Sequence, residues 1–194
     1  MGKIAILGAG GKLGTRLVHE ALAQEMQVNA VTRDPKKLRL ANANFNVFQG
    51  DTEKGEGLES AVLGCRWVVS VVSSNQPSTC VANLLKALKQ RWVDRLVFVA
   101  RSDDTVPAHG LSKLSGILHR KEVAKDLGTA LELLQVSGLP YLVLRTTGLT
   151  DGPGGKEVLA GADGHVSRVD LARFILNVLN APEWGFRDAI VGTH

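Results

Sequence analysis

Lys3-Ile4-Ala5-Ile6-Leu7-Gly8-Ala9-Gly10-Gly11-Lys12-Leu13-Gly14 decides how the chain folds. Lys3 to Leu7 has the character of a buried strand. It runs into a glycine cluster and then into Leu13 to Gln24, a helical stretch with Leu13, Leu17, Ala21 and Leu22 near one face. The cluster holds GxxGxxG at Gly8, Gly11 and Gly14. It also holds GxG at Gly8 and Gly10, so G-x-G-x-x-G fails only because Leu13 occupies its last place. A chain leaving a strand and entering a helix needs a tight turn, which Gly8 permits. A bare Gly11 lets backbone N–H groups approach a diphosphate, and Gly14 lets the helix pack closely on the strand. The helix N-terminus adds unpaired N–H donors and a partial positive charge. With a strand before and a helix after, the expected ligand is a dinucleotide. The alternative is a glycine turn that serves packing alone.

Outward from the turn, short apolar runs alternate with amphipathic ones. Met26 to Thr32 and Phe45 to Gln49 read as the second and third strands, and Leu58 to Leu63 as a short helix. Trp67 to Val72 is a continuous β-branched run of the kind buried on both faces of a parallel sheet. Thr79 to Gln90 carries Val81, Leu84, Leu85 and Leu88 at helical spacing. Arg95 to Ala100 is a fifth strand. His109 to Ser137 reads as mainly helical, interrupted at Gly116 and Gly128 and stopped at Gly138. Tyr141 to Arg145 is a sixth strand. Ser167 reads as a helix cap with Asp170 three residues on, and Asp188 to Val191 as a last strand. The alternation predicts a three-layer α/β Rossmann fold, a doubly wound, mostly parallel sheet. At 194 residues, with no linker or repeat, residues 1–194 are expected to form a single domain. Asp151 to Gly155 (DGPGG) reads as the most flexible loop, placed after a strand where ligand-facing loops belong.

Composition narrows the function. Lys and Arg number 23 against 19 Asp and Glu, a mild excess that suits an anionic small molecule. There is no basic block and no aromatic stacking platform, so no nucleic-acid partner is expected. The apolar runs are too short to span a bilayer, so no membrane role is expected. Cys65 and Cys80 have no metal spacing, no two histidines have ligand spacing, and the reading is a reduced, cytoplasmic chain without metal.

The end of the second strand, Val31-Thr32-Arg33-Asp34-Pro35-Lys36-Lys37, bears on the cofactor. An acidic side chain here binds a ribose 2′-OH and favours NAD, whereas an arginine accepts a 2′-phosphate and favours NADP. Arg33, with Lys36 and Lys37 nearby and a hydroxyl at Thr32, favours NADP over NAD. The alternative is that Asp34 caps the next turn and the lysines are merely solvated.

KIAILGAGGKLG (3–14), VTRDPKKL (31–38) and QGD (49–51) resemble the atypical short-chain dehydrogenase/reductases. The nearest branch is the NmrA-like, NAD(P)-binding group, to which flavin and biliverdin reductases belong. LLQVSGLPYLVLR (133–145) and VSRVDLARFIL (166–176) are similar to the same group, so the likeness spans nearly the whole chain. The resemblance implies that Gly8, Gly11, Lys12 and Leu13 would surround the diphosphate, with Gly10 and Gly14 completing the cofactor-binding turn. Thr32 and Arg33 would face the adenosine phosphate, and Asp51 the adenine. Val72, Ser73 and Ser74 would border the nicotinamide ribose, with Thr146, Thr147 and Gly148 by the carboxamide. Many short-chain dehydrogenases carry a Tyr-x-x-x-Lys pair, which would fall here at Ala124 and Gly128. That proton-donating pair is absent. Tyr141, the chain's one tyrosine, lies in a strand and reads as core. Ser102 and His109 are candidate catalytic groups, with Arg101 and His119 as further polar candidates. His165 reads as an exposed loop residue.

Two functions fit. One is an NADPH-dependent oxidoreductase passing hydride to a small conjugated acceptor of flavin or quinone type; the cofactor carries the hard chemistry and the protein positions it. The short stretch after the DGPGG loop argues against nucleotide-sugar epimerase chemistry. The other is a non-catalytic NADP(H)-binding redox sensor, which would relay its state to a protein partner and needs no proton donor.

Overall fold

A computed structural model describes residues 2–89, 92–101, 113–146, 148–162, 164–184 and 187–193; at 101, 113–120, 184 and 187 it describes the backbone alone. Ser102, His109 and Thr147 lie outside the described residues, as do the side chains of Arg101 and His119.

The chain runs β1 (Lys3–Leu7), α1 (Lys12–Ala23), β2 (Gln27–Thr32), β3 (Phe45–Gln49), α2 (Leu58–Val62), β4 (Trp67–Ser70), α3 (Pro77–Ala87) and β5 (Arg95–Arg101). It continues through α4 (Lys113–Val136), β6 (Tyr141–Thr146), β7 (Leu149–Thr150), β8 (Leu159–Ala160), β9 (Val166–Ser167), α5 (Arg168–Val178) and β10 (Arg187–Gly192). One sheet has the order β3-β2-β1-β4-β5-β6-β10-β8. Every neighbouring pair from β3 to β10 is parallel, and β8 closes the far edge antiparallel. This is the doubly wound order, with its reversal between β1 and β4.

Strand alternation explains the layers. Ile4 and Ile6 face one side, joining Leu13, Leu17 and Val18 of α1 and Leu171, Ala172 and Ile175 of α5 in one core. Ala5 and Leu7 face the other, with Leu58 of α2, Val81 and Leu84 of α3, and Leu127, Ala130 and Leu134 of α4. Central strands covered on both faces are mostly apolar, which is why β4 is buried at all four positions, three of them apolar.

Four points differ from expectation. α4 runs unbroken from Lys113 to Val136, so neither Gly116 nor Gly128 interrupts it. A helical glycine costs about 1 kcal/mol, which packing of α4 against α3 and β5 offsets. The helix does stop before Gly138, whose φ of +70° reverses the chain. β4 ends at Ser70, so Val71 and Val72 belong to the loop at the sheet's edge. Short strands β7 and β9, a parallel pair outside the main sheet, were not expected from the sequence. The last strand is longer than Asp188 to Val191, and Tyr141 is buried as expected.

Candidate active site

At the reversal point the C-terminal ends of β1 and β4 part, and a cleft of about 1030 Å³ opens there. Gly8 turns the chain out of β1 with φ +82°, its N–H donating to the Val31 carbonyl at 3.1 Å. A side chain at Gly14 would collide with the Gly8 carbonyl oxygen and the Ala9 Cα, so α1 rests directly on the turn. A Cβ at Gly10 would lie 2.5 Å from Thr32 Oγ1, so β2 fills that space. At Gly11 a Cβ would meet only the Gly8 carbonyl, at 3.3 Å, and otherwise face open cleft. Gly11 is the N-cap of α1, with no side-chain cap and no acidic residue in the first turn. The first-turn amides therefore open onto the cleft carrying the positive end of the helix dipole.

Of the residues expected at a cofactor, Gly8, Gly10, Gly11, Lys12, Leu13, Gly14, Thr32, Arg33, Asp51, Val72, Ser73, Ser74 and Thr146 all line this one cleft. Their roles differ in detail. Arg33 is exposed and has no hydrogen bond or ion pair among the described residues. Asp34 is engaged: its carboxylate accepts the Lys36 N–H at 3.1 Å and caps the short 3-10 turn Pro35–Lys37. The Thr32 hydroxyl accepts from the Asp34 N–H at 3.2 Å, so it shapes the same turn. Lys37 lines the cleft; Lys36 does not. Asp51 accepts the Glu53 N–H at 2.9 Å, and the Ser74 hydroxyl donates to Glu53 at 2.5 Å. Thr146 is buried at the end of β6.

The opposite wall carries residues the sequence reading did not assign to the site. Two α4 residues four apart, Val123 and Leu127, face the cleft, one position before the expected Ala124 and Gly128. Both registers lack tyrosine and lysine; the wall is apolar, continued by Phe98, Val99 and Ala100 of β5. His165 and Arg168, before and at the start of α5, also line the cleft. Asp151 bridges its rim, accepting from Lys12 Nζ at 2.9 Å and from Arg168 at 2.6 Å. The Lys12 ammonium, with Arg168 beside it, holds the exposed Asp151 carboxyl below the usual carboxylate range. The DGPGG loop is thus tied at its first residue. It is also tied at its last, because Asp170 accepts the Gly155 and Lys156 N–H groups at 2.7 and 3.2 Å. Only the presence of Arg168 inside VSRVDLARFIL hinted at this wall; the ion-pair bridge has no local sequence signal.

Cys65 and Cys80 are buried and free, and burial pushes the Cys65 thiol up to about 11 and Cys80 also upward. Neither is a ready nucleophile. Among the described residues no cluster could hold a metal ion, and no helix is long and apolar enough to cross a membrane.

Comparison with known proteins agrees with this geometry. Residues 8–182 match the model of a family described as NAD(P)H-binding. The uncharacterized sugar epimerase YhfK of Bacillus subtilis is 26% identical over 92% of this chain and 88% of its own. A short-chain dehydrogenase/reductase (wide type) from Veillonella parvula, solved in complex with NADP, superposes with a TM-score of 0.80 at 21% identity, covering 98% of this chain and 94% of that one. ChuY, an anaerobilin reductase from Escherichia coli O157:H7, gives a TM-score of 0.80 at 24% identity over 98% and 97%.

Proposed function

The chain belongs to this NAD(P)H-binding family, and from that premise we propose an NADPH-dependent oxidoreductase that passes hydride to a small conjugated acceptor of flavin or quinone type. The observation that carries the reading is the uncapped N-terminus of α1, open to a cleft whose far end holds an unpaired Arg33. The residues fit the dinucleotide. The Gly11 position leaves room for a diphosphate against the first-turn amides, and Lys12 adds a cation.

NADP is favoured over NAD because Asp34, the carboxylate that would take a ribose 2′-OH, is turned toward the Lys36 amide through its Oδ1, whereas Arg33 has no partner among the described residues. Arg33 and Lys37 are left for a 2′-phosphate. Bound NADPH supplies the hydride. Val72, Ser73 and Leu13, which line the cleft, would border its ribose, with Thr146 and Gly148 beyond. Val123, Leu127 and Phe98 give the acceptor a flat apolar wall and keep water off it. The names of similar proteins, an anaerobilin reductase among them, support a conjugated acceptor.

Turnover decides the reading. NADPH oxidation by the pure protein, followed by nicotinamide absorbance with FMN, menadione and dichlorophenolindophenol, is expected to exceed the protein-free rate. Saturable NADPH binding without turnover of any acceptor favours the redox-sensor function instead.

A further inference from the structure

We propose that His165 is the proton donor to the reduced acceptor, an assignment that rests on the oxidoreductase reading above. His165 stands in the loop before β9 and lines the cleft beside Thr146, Gly148 and Leu149, where β6 ends. Its backbone is pinned on three sides. Thr193 Oγ1 donates to the His165 carbonyl at 2.8 Å, the Val166 N–H donates to the Gly148 carbonyl at 3.0 Å, and β9 then pairs with β7. The imidazole lies over Gly148: a Cβ there would sit 2.6 Å from Cδ2 and 2.9 Å from Nε2. Position 148 is bare because the ring fills its place.

Several other described cleft residues are apolar or already engaged. Val123 and Leu127 of α4 carry no exchangeable proton. Glu53 takes the Ser74 hydroxyl, and the Thr32 hydroxyl is engaged with Asp34. Lys12 and Arg168 are paired with Asp151. The His165 ring has no hydrogen-bond partner among the described residues, and it is exposed to the cleft. An imidazole can hand on a proton from a ring nitrogen, and this ring reaches the cleft through its Cδ2–Nε2 edge at Gly148. Arg168, on α5, is the charged group lining the same stretch, and Asp151 balances it.

The reaction balances as follows. The C4–H bond of NADPH breaks and its electron pair goes with the hydride to the acceptor, which is reduced as NADPH becomes NADP+. The reduced acceptor is then an anion. The Nε2–H bond of the His165 imidazolium breaks, its proton neutralises that anion, and solvent reprotonates the ring.

The test uses the full chain with FMN as acceptor. For H165Q, kcat is expected to fall at least about tenfold, the low end of what a general acid contributes. Kd for NADPH, read by nicotinamide fluorescence, is expected to stay within about threefold. Free imidazole is expected to restore rate to H165A but not to the wild type. G148A, which displaces the ring without removing it, is expected to lower kcat in the same direction. A readout independent of turnover is the His165 ring resonance, assigned by its loss in H165Q. It is expected to move when FMN is added to NADP+-saturated protein. A wild-type kcat in H165Q, or a ring resonance unmoved by FMN, overturns the assignment of His165 alone. NADPH binding without turnover in the wild type overturns the oxidoreductase reading, and this assignment with it.

Discussion

Arg33 and Asp34 stand side by side just past β2, yet among the described residues only the carboxylate has a partner within the fold. On the proposed function that division of labour favours NADP, because a charge-assisted pair from Arg33 to a 2′-phosphate would be worth about 1.5–3 kcal/mol. Arg33→Ala is therefore expected to weaken NADPH binding about 10- to 100-fold and to leave NADH binding nearly unchanged. Fluorescence titration with both nucleotides checks this, and equal losses would remove the case for phosphate recognition. Gly14 is constrained differently, by backbone on its far side: its missing Cβ is the space taken by Gly8 and Ala9. Gly14→Ala is expected to destabilise by about 1–3 kcal/mol, the usual range for overpacking, measured by denaturant unfolding. Gly8 and Gly14 were legible in the sequence because their demands are local. The partners of Lys12 were not, since Asp151 lies 139 residues away and reaches it only through the sheet's winding.

Among the elements, α4 and α5 show where local signals suffice and where they mislead. Ser167 and Asp170 form the cap that their spacing announces: the Ser167 hydroxyl accepts the Asp170 N–H at 3.0 Å and donates to its carboxylate at 2.8 Å. Burial alone would raise the Asp170 pKa, but hydrogen bonds from Gly155, Ser167 and Lys156 outweigh it and hold the carboxyl below its ordinary value. The unfolded-state pKa is about 3.9. The stabilisation is thus fully present above that pH and lost as pH falls through the lower, folded value. Asp170→Asn is expected to cost about 1–3 kcal/mol at pH 7 and to shrink the acid-side loss of stability, read from melts between neutral and acidic pH. The glycines of α4 mislead because propensity is a weak local preference. At Gly128 a Cβ would meet nothing within 4 Å, so Gly128→Ala is expected to stabilise by about 0.4–1 kcal/mol. That is a Tm rise of about 1–4 °C, checked by thermal melting. Sequence periodicity located α4, but the register taken from the family resemblance, Ala124 and Gly128, sits one residue past the pair that meets the cleft; a helix rotation of that size depends on packing against α3, where Asp126 accepts the Ser78 N–H and hydroxyl at 2.8 and 2.6 Å.

For the molecule as a whole, two apolar layers clamp one mostly parallel sheet, and the order of its strands leaves a reversal between β1 and β4 where a ligand can enter. The doubly wound, mostly parallel character of the sheet followed from the alternation of strands and helices; the order of its strands is seen only in the structure. The small β7–β9 pair did not, because two-residue strands carry no periodicity, yet it positions His165 and Arg168 on the cleft. The cleft joins the ends of β1 to β6, so ligand binding there couples to global stability. NADPH at a hundredfold excess over its Kd is expected to add about 2.7 kcal/mol. The most direct measurement is calorimetric titration of the untreated chain with NADPH and, separately, NADH. The account predicts a saturable heat with NADPH and weaker binding of NADH. Flat traces with both nucleotides, carried to millimolar ligand, would contradict it.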